Sequence, residues 1–259
     1  RDVKVVNLSL LNTPWYIEQL MRHDPQLKLD FSNESFSDDL YRLDPWNGTE
    51  SAFKLCSQKF NDEVAWNNLE CNLEVDNKVL TFNIKPTLIG RLLRVQDYMI
   101  LKLIHDIGLE RPVYFAATVS TNNQLGLEKY LTMEGMTYRI STSPNKYESY
   151  EINYDKMKNN LTSSNLDNII YSSDDYNNAV ASDQGIYRYT NLNDTTIYYN
   201  DNIKRLVQNY RIGFIRLAEN QISNNKVNDE IEIGSLLDSM DYYFPESTLP
   251  IEPGIQMLL

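Results

Sequence analysis

Between Leu92 and Ile107 the apolar residues Leu92, Leu93, Val95, Met99, Ile100, Leu103 and Ile104 leave only a narrow polar stripe of Arg94, Tyr98, Lys102 and His105, spaced four, four and three apart. This spacing predicts a helix that is apolar on nearly all sides, and such a helix has to be enclosed by other elements. Enclosing it takes a large core. A chain of 259 residues can bury roughly 70 to 75% of its unfolded surface, and a hydrophobic content of 42% suits a globular domain. Gly108 stands where a C′ glycine would end the helix.

Strands are suggested on either side of it. The run from Val3 to Leu11 is β-branched and nearly continuously apolar, and the run from Val113 to Val119, after Arg111-Pro112, repeats the pattern. Both suit strands covered on two faces, as in a parallel sheet. Asn12-Thr13-Pro14 supplies a cap and a first-turn proline before Trp15, Tyr16, Ile17, Leu20 and Met21 at helical spacing. Residues 125–133 read as a short helix and 136–140 as a strand. The alternation predicts an α/β fold over residues 1–144, a Rossmann-like, mostly parallel sheet flanked by helices. A Ser/Asn/Asp-rich stretch near 24–90 reads as an irregular insertion, with weaker strand candidates at 69–75 and 79–84.

Residues 145–200 form an Asn/Tyr/Asp-rich connecting segment; 145–202 hold nine of the eighteen tyrosines and twelve asparagines. The mixture fits a carbohydrate-binding surface, or simply a surface connection in a chain rich in these residues. In 201–259, Ile203, Leu206, Val207, Tyr210, Phe214, Leu217 and Ala218 recur at helical spacing, and Ile233, Leu236, Leu237, Met240 and Phe244 do so again before Pro245. Two amphipathic helices joined by a short polar turn make a tetratricopeptide-like αα-hairpin. One such unit cannot bury its own face, and no 34-residue repeat is visible, so the hairpin has to pack on the core, on a partner or on further repeats.

Several chemistries are disfavoured. With 24 basic and 36 acidic side chains the net charge is −12, the opposite of a nucleic-acid footprint. The nine glycines make no GxGxxG or GxxxxGK[ST] loop to cradle phosphate. No GxSxG, HExxH or DxDxDG pattern occurs, and two histidines with two cysteines outside any CxxC are too few for a zinc site. No catalytic residue, metal or cofactor is therefore assigned. His23 and His105 read as structural or solvated, and Glu134-Gly135 as a turn. Cys56 and Cys71 lie fifteen positions apart, either as two thiols or, in an oxidising compartment, as a disulfide. No apolar run approaches the roughly 20 residues that span a bilayer. A chain opening at Arg1, with neither Met nor a signal-peptide pattern, reads as a piece of something longer.

The blocks Val5-Val6-Asn7-Leu8-Ser9-Leu10-Leu11-Asn12-Thr13-Pro14-Trp15-Tyr16-Ile17, Arg111-Pro112-Val113-Tyr114-Phe115-Ala116, Asn123-Gln124-Leu125-Gly126-Leu127 with Tyr130-Leu131, and Glu134-Gly135-Met136-Thr137-Tyr138-Arg139 carry a resemblance. They resemble the soluble C-terminal region of bacterial membrane proteins of glycosyltransferase family 117, which are related to a transmembrane protein O-mannosyltransferase of animals. Asn202 to Ala218 is similar to the family's helical stretch leading into tetratricopeptide-like repeats. The resemblance implies a parent of the GT-C type with many membrane helices, a lipid-linked sugar donor and a catalytic acid in the membrane part. This chain would be its non-catalytic domain on the extracytoplasmic (periplasmic) side, serving acceptor recognition or assembly. Family members carry an Asn-Gly-Asp-Asn-Asp-like loop just upstream of the position matching Arg1, so a first strand is expected to be missing here. The alternative is a protein–protein interaction module that uses the C-terminal hairpin, with the α/β part as scaffold.

In a parallel sheet ligands approach the carboxyl ends of the strands. Asn12, Thr13 and Trp15 after the first strand, and Thr118, Asn122 and Asn123 after the second, are therefore the candidate binding residues. The simpler reading is that Asn12 caps a helix and Trp15 packs in the core. The expected partners are the parent membrane domain, a glycan or acceptor peptide, or a protein docked on the C-terminal helices, and no nucleic acid.

Overall fold

A computed structural model describes residues 5–24, 27, 29, 31, 43–57, 69–109, 111–162, 187, 189–224 and 229–256. In chain order the elements among them are α1 (Pro14–His23), α2 (Pro45–Leu55), β1 (Leu69–Val75), β2 (Lys78–Ile84), α3 (Val95–Ile107), β3 (Tyr114–Ala116), β4 (Leu131–Met133), β5 (Thr137–Ile140), β6 (Glu151–Ile152), α4 (Tyr154–Thr162), α5 (Asp201–Asn224), α6 (Asp229–Tyr243) and α7 (Pro253–Gln256).

The helix α3 organises the molecule. Every residue from Asp97 to Ile104 is buried, against α2, β1 and a 3-10 turn at Leu8–Leu10. Even its polar stripe is largely covered. The Lys102 ammonium is 2.8 Å from Asp106 and 5.1 Å from the centre of the Phe31 ring, which lets a buried cation keep electrostatic partners. Asp97, wholly buried, caps the first turn. Its carboxylate accepts from the backbone N–H of Arg94 at 3.1 Å, from Arg94 Nε at 2.9 Å and Nη2 at 2.8 Å, and from the Thr87 hydroxyl.

The Rossmann-like, mostly parallel sheet expected from the sequence is not what forms. β1 and β2 make an antiparallel hairpin paired from Leu69↔Ile84 to Val75↔Lys78. Its two-residue turn, Asp76-Asn77, has φ of +50° and +60°, the primed geometry that matches strand twist. A second sheet runs β3-β5-β4-β6, antiparallel except for the two-residue pairing of β4 with β6. The physical reason lies in side-chain alternation. In β3 only Phe115 is buried between exposed Tyr114 and Ala116, so the Val113 to Val119 run yields a short edge strand covered on one face. At the N-terminus residues 1–4 lie outside the described residues. Beyond them the Asn7 side chain accepts from the Ser9 N–H at 3.0 Å and turns the chain into the 3-10 turn, so no strand forms there. Residues 125–133 are not a helix either: Leu125 at φ +59° and Gly126 at φ +85° break it before β4.

The tetratricopeptide-like unit is likewise corrected. α5 and α6, of 24 and 15 residues, pack on each other, and α5 also packs on α4, where Gly213 brings Leu161 and Met157 close to its backbone. Tyr189 lies among Tyr210, Tyr243 and Phe244 at ring separations of 5.5, 4.7 and 4.7 Å. Buried Arg211 donates to the carbonyls of Phe244 at 2.6 Å and Leu249 at 2.5 Å, tying α5 to the segment after α6. The inner face is thus filled by this chain's own aromatic and aliphatic groups rather than by a stacked repeat. Residues 163–186 of the connecting segment, and 225–228 between α5 and α6, lie outside the described residues. One hydrophobic cluster extends from Leu11 to Leu249.

Candidate binding site

Two helices end beside the β1–β2 hairpin. α2 begins with Asp44 accepting from the Asn47 N–H at 2.8 Å and Pro45 in the first turn, and it ends at Leu55. Its C-cap, Cys56, is bonded through sulfur to Cys71 of β1, with Cα atoms 4.5 Å apart, and the Asn72 N–H donates to the Cys56 carbonyl at 3.2 Å. α3 ends at Gly108, φ +66°, where the Asp76 carboxylate accepts the Leu109 N–H. One turn earlier, His105 Nδ1 donates to the Glu74 carbonyl at 2.7 Å.

These ties leave a hollow of about 400 Å³ that is open to solvent. Ser51, Lys54, Leu55 and Ser57 line it from the end of α2, Glu74 from β1, and Tyr98 and His105 from α3. Lys54 is paired with Glu50 at 3.0 Å. With Nδ1–H engaged by a carbonyl, neutral His105 presents Nε2 as an acceptor. Ser57 holds φ +55°, the left-handed region that non-glycine side chains seldom occupy. Among the described residues no hydroxyl is hydrogen-bonded to a histidine, and no group of three His, Cys, Asp or Glu side chains could hold a metal ion. The lining is suited to holding a polar group in place.

The residues singled out from the sequence lie elsewhere. Asn12 is exposed in the turn before α1 and does not cap it; Thr13 occupies the N-cap position, its hydroxyl donating to the Leu10 carbonyl at 2.5 Å. Trp15 is 56% exposed, edge-on to Tyr16 at 5.9 Å. Thr118 and Asn122 are exposed, whereas half-buried Asn123 accepts from Arg94 Nη2 at 2.7 Å. No hydrogen bond among the described residues joins the first trio to the second. Tyr98 and His105 belong to the polar stripe of α3, and that stripe is the signal that could have located the cavity.

A second polar cluster joins the four-stranded sheet to the helices. Buried Glu134 lies 3.0 Å from Lys156 and 3.8 Å from Arg139. Arg216 Nη1 donates to the Tyr138 hydroxyl at 2.5 Å, with its guanidinium 5.5 Å from the Tyr150 ring centre. Burial pushes the Tyr138 phenol up, against the pull of Arg216. The Tyr154 hydroxyl donates to Glu232 at 2.8 Å, and burial, ahead of Glu232, pushes that phenol up to about 12. Burial also raises Tyr189, Tyr210 and Tyr243. These contacts interlock the sheet with α4, α5 and α6.

Residues 55–159 match a family described as TMEM260-associated domain 2, a domain linked to TMEM260, a protein O-mannosyltransferase. The matched stretch carries both cysteines of the disulfide and five of the cavity's residues, Leu55, Ser57, Glu74, Tyr98 and His105, and it ends within α4. No curated protein and no solved structure matches the chain.

Proposed function

We propose that this chain is a non-catalytic, extracytoplasmic domain of a membrane glycosyltransferase of bacterial family 117, and that it serves acceptor recognition or assembly beside the parent's membrane part. The observation that carries this reading is the match of residues 55–159 to a TMEM260-associated domain. The disulfide between Cys56 and Cys71 supports the oxidising, periplasmic side, because cytosolic thiols are kept reduced. The cavity supports recognition, since it gathers hydroxyl, amine, carboxylate and imidazole groups around a hydrophobic wall.

A second reading, a protein-docking module, draws on the apolar side chains that the C-terminal helices leave in solvent. Leu206 and Ile222 on α5, with Ile231 and Tyr242 on α6, are all more than half exposed. Arrays of Ser/Thr-rich peptides and of glycans separate the two. Saturable binding to either, unaffected by Leu206→Asp and Ile231→Asp, supports acceptor recognition. Empty arrays together with capture of one defined protein, lost in those variants, overturn it in favour of docking. Asn12→Ala and Trp15→Ala, both at exposed positions, test the sequence-derived candidates without disturbing the fold.

A further inference from the structure

We infer that the hollow at the end of α2 and along the polar stripe of α3 binds a neutral, hydroxyl-rich group, the pyranose ring of a sugar, and rejects phosphate and sulfate. This rests on the acceptor-recognition reading and names what is recognised.

The charge pattern decides the class of ligand. α2 meets the site at its C-terminal end, with Lys54, Leu55 and Ser57 at or just past its last turn, and α3 borders it along its polar stripe, from Tyr98 in the first turn to His105 in the last. The end of α2 carries a partial negative charge of about half a unit. Glu74 adds a carboxylate, and the ammonium of Lys54 already faces Glu50. A phosphate or sulfate would therefore enter a negative field with one shared cation to offset it, whereas phosphate sites use helix N-termini. A neutral hydroxyl meets no such opposition, and because it both donates and accepts it can pair with Ser51, Ser57, the Glu74 carboxylate and His105 Nε2.

Size and rigidity agree with this. The hollow, of about 400 Å³, is open to solvent, with Lys54, Ser57 and Glu74 exposed around it, which suits a single ring bound at the surface, and partly buried Leu55 supplies apolar surface for the C–H face of that ring. The walls are fastened before any ligand arrives, by the disulfide, by the Asn72 to Cys56 bond and by the His105 to Glu74 bond, so little ordering remains to be done on binding. Ser57 is kept in its left-handed conformation directly after the bonded Cys56, a strained non-glycine residue at the rim of the cavity.

The test titrates the 259-residue chain with methyl α-mannoside, methyl α-glucoside and inorganic phosphate, read by saturation-transfer NMR and calorimetry. Saturable binding of at least one hexoside on the millimolar scale, with no phosphate binding, is the expected result. Ser51→Leu puts aliphatic bulk into the cavity from a partly exposed helix position. His105→Asn keeps an N–H for the Glu74 carbonyl and removes Nε2. Each should weaken hexoside binding at least tenfold at an unchanged melting temperature, while Trp15→Ala should leave it intact. Should His105→Asn lower the melting temperature, Ser51→Leu alone decides. No saturable hexoside binding, phosphate binding as tight as the hexoside's, or unchanged affinity in folded Ser51→Leu would overturn the site. Hexoside binding by a chain whose removal leaves cellular glycosylation unchanged would keep the site and remove the function. Glycosylation that needs the chain, without hexoside binding, would do the reverse.

Discussion

The Nδ1 atom of His105 stands 2.7 Å from the carbonyl oxygen of Glu74, so the last turn of α3 is fastened to β1 at the wall of the cavity. Removing the ring removes a cross-element bond and leaves a carbonyl without its partner. His105→Ala should cost about 1 kcal/mol in urea unfolding, and His105→Asn should recover most of that. Equal losses for the two would show that the bond contributes nothing.

The Cys56–Cys71 link closes a fifteen-residue separation and joins the end of α2 to β1. Replacing both cysteines with serine should lower stability by about 3 kcal/mol, from the added freedom of the unfolded chain. Guanidinium unfolding with and without reductant measures it: the native chain should lose a similar amount on reduction, and the double variant nothing.

Asp97 is fully buried and holds Arg94 through two side-chain bonds while capping α3. Asp97→Ala leaves the Arg94 guanidinium and the Thr87 hydroxyl without their acceptor and should cost about 3 kcal/mol. Because Arg94 also donates to Asn123, the same change should loosen the turn at Thr121–Gln124, seen as faster amide exchange there.

Gly126 has φ +85°, and a Cβ placed on it would run into the carbonyl oxygen of Asn83 on β2. Gly126→Ala combines left-handed strain with a backbone clash against β2 and should cost about 3 kcal/mol. Gly234→Ala, with open space around the new methyl, should be neutral or stabilising. A thermal-unfolding comparison of the pair checks both.

The tyrosines set an alkaline limit. Burial raises Tyr154 to about 12 from its ordinary 10.0, and raises Tyr138, Tyr189, Tyr210 and Tyr243 as well. The folded state thus keeps these protons to higher pH than the unfolded chain does. Their contribution to stability is complete below about pH 10 and is lost as pH rises through the folded values. Ultraviolet titration should show these phenols ionising late, together with unfolding. All eighteen tyrosines of the chain ionising together near pH 10 in a folded protein would contradict this.

The buried helix was legible because its apolar positions persist for four turns, and nothing but enclosure satisfies them. The strands expected at 69–75, 79–84 and 136–140 were legible too and form β1, β2 and β5; the parallel pairing was wrong, because apolar runs alone do not distinguish a strand covered on both faces from one covered on a single face. The alternation in Cys71, Leu73 and Val75, and in Leu80, Phe82 and Ile84, around Asp76-Asn77 marks a half-buried hairpin, within the stretch expected to be irregular. The turn at Leu125-Gly126 depends on a leucine in the left-handed region, which no local propensity favours. The site draws on positions from Ser51 to His105, brought together by the disulfide, the hairpin and the packing of α2 and β1 on α3. Spacing along the chain could flag Tyr98 and His105 as sharing a face, and could not place Ser51 or Glu74 opposite them.

The most direct measurement maps hexose on serine and threonine of exported proteins, by mass spectrometry, in cells that carry the gene intact and in cells lacking the codons for residues 55–159, with the level of the gene's product matched between them. If the chain recognises acceptors for a membrane glycosyltransferase, hexose occupancy falls in the deletion and returns when the intact gene is restored. Unchanged occupancy at matched protein levels would contradict the account.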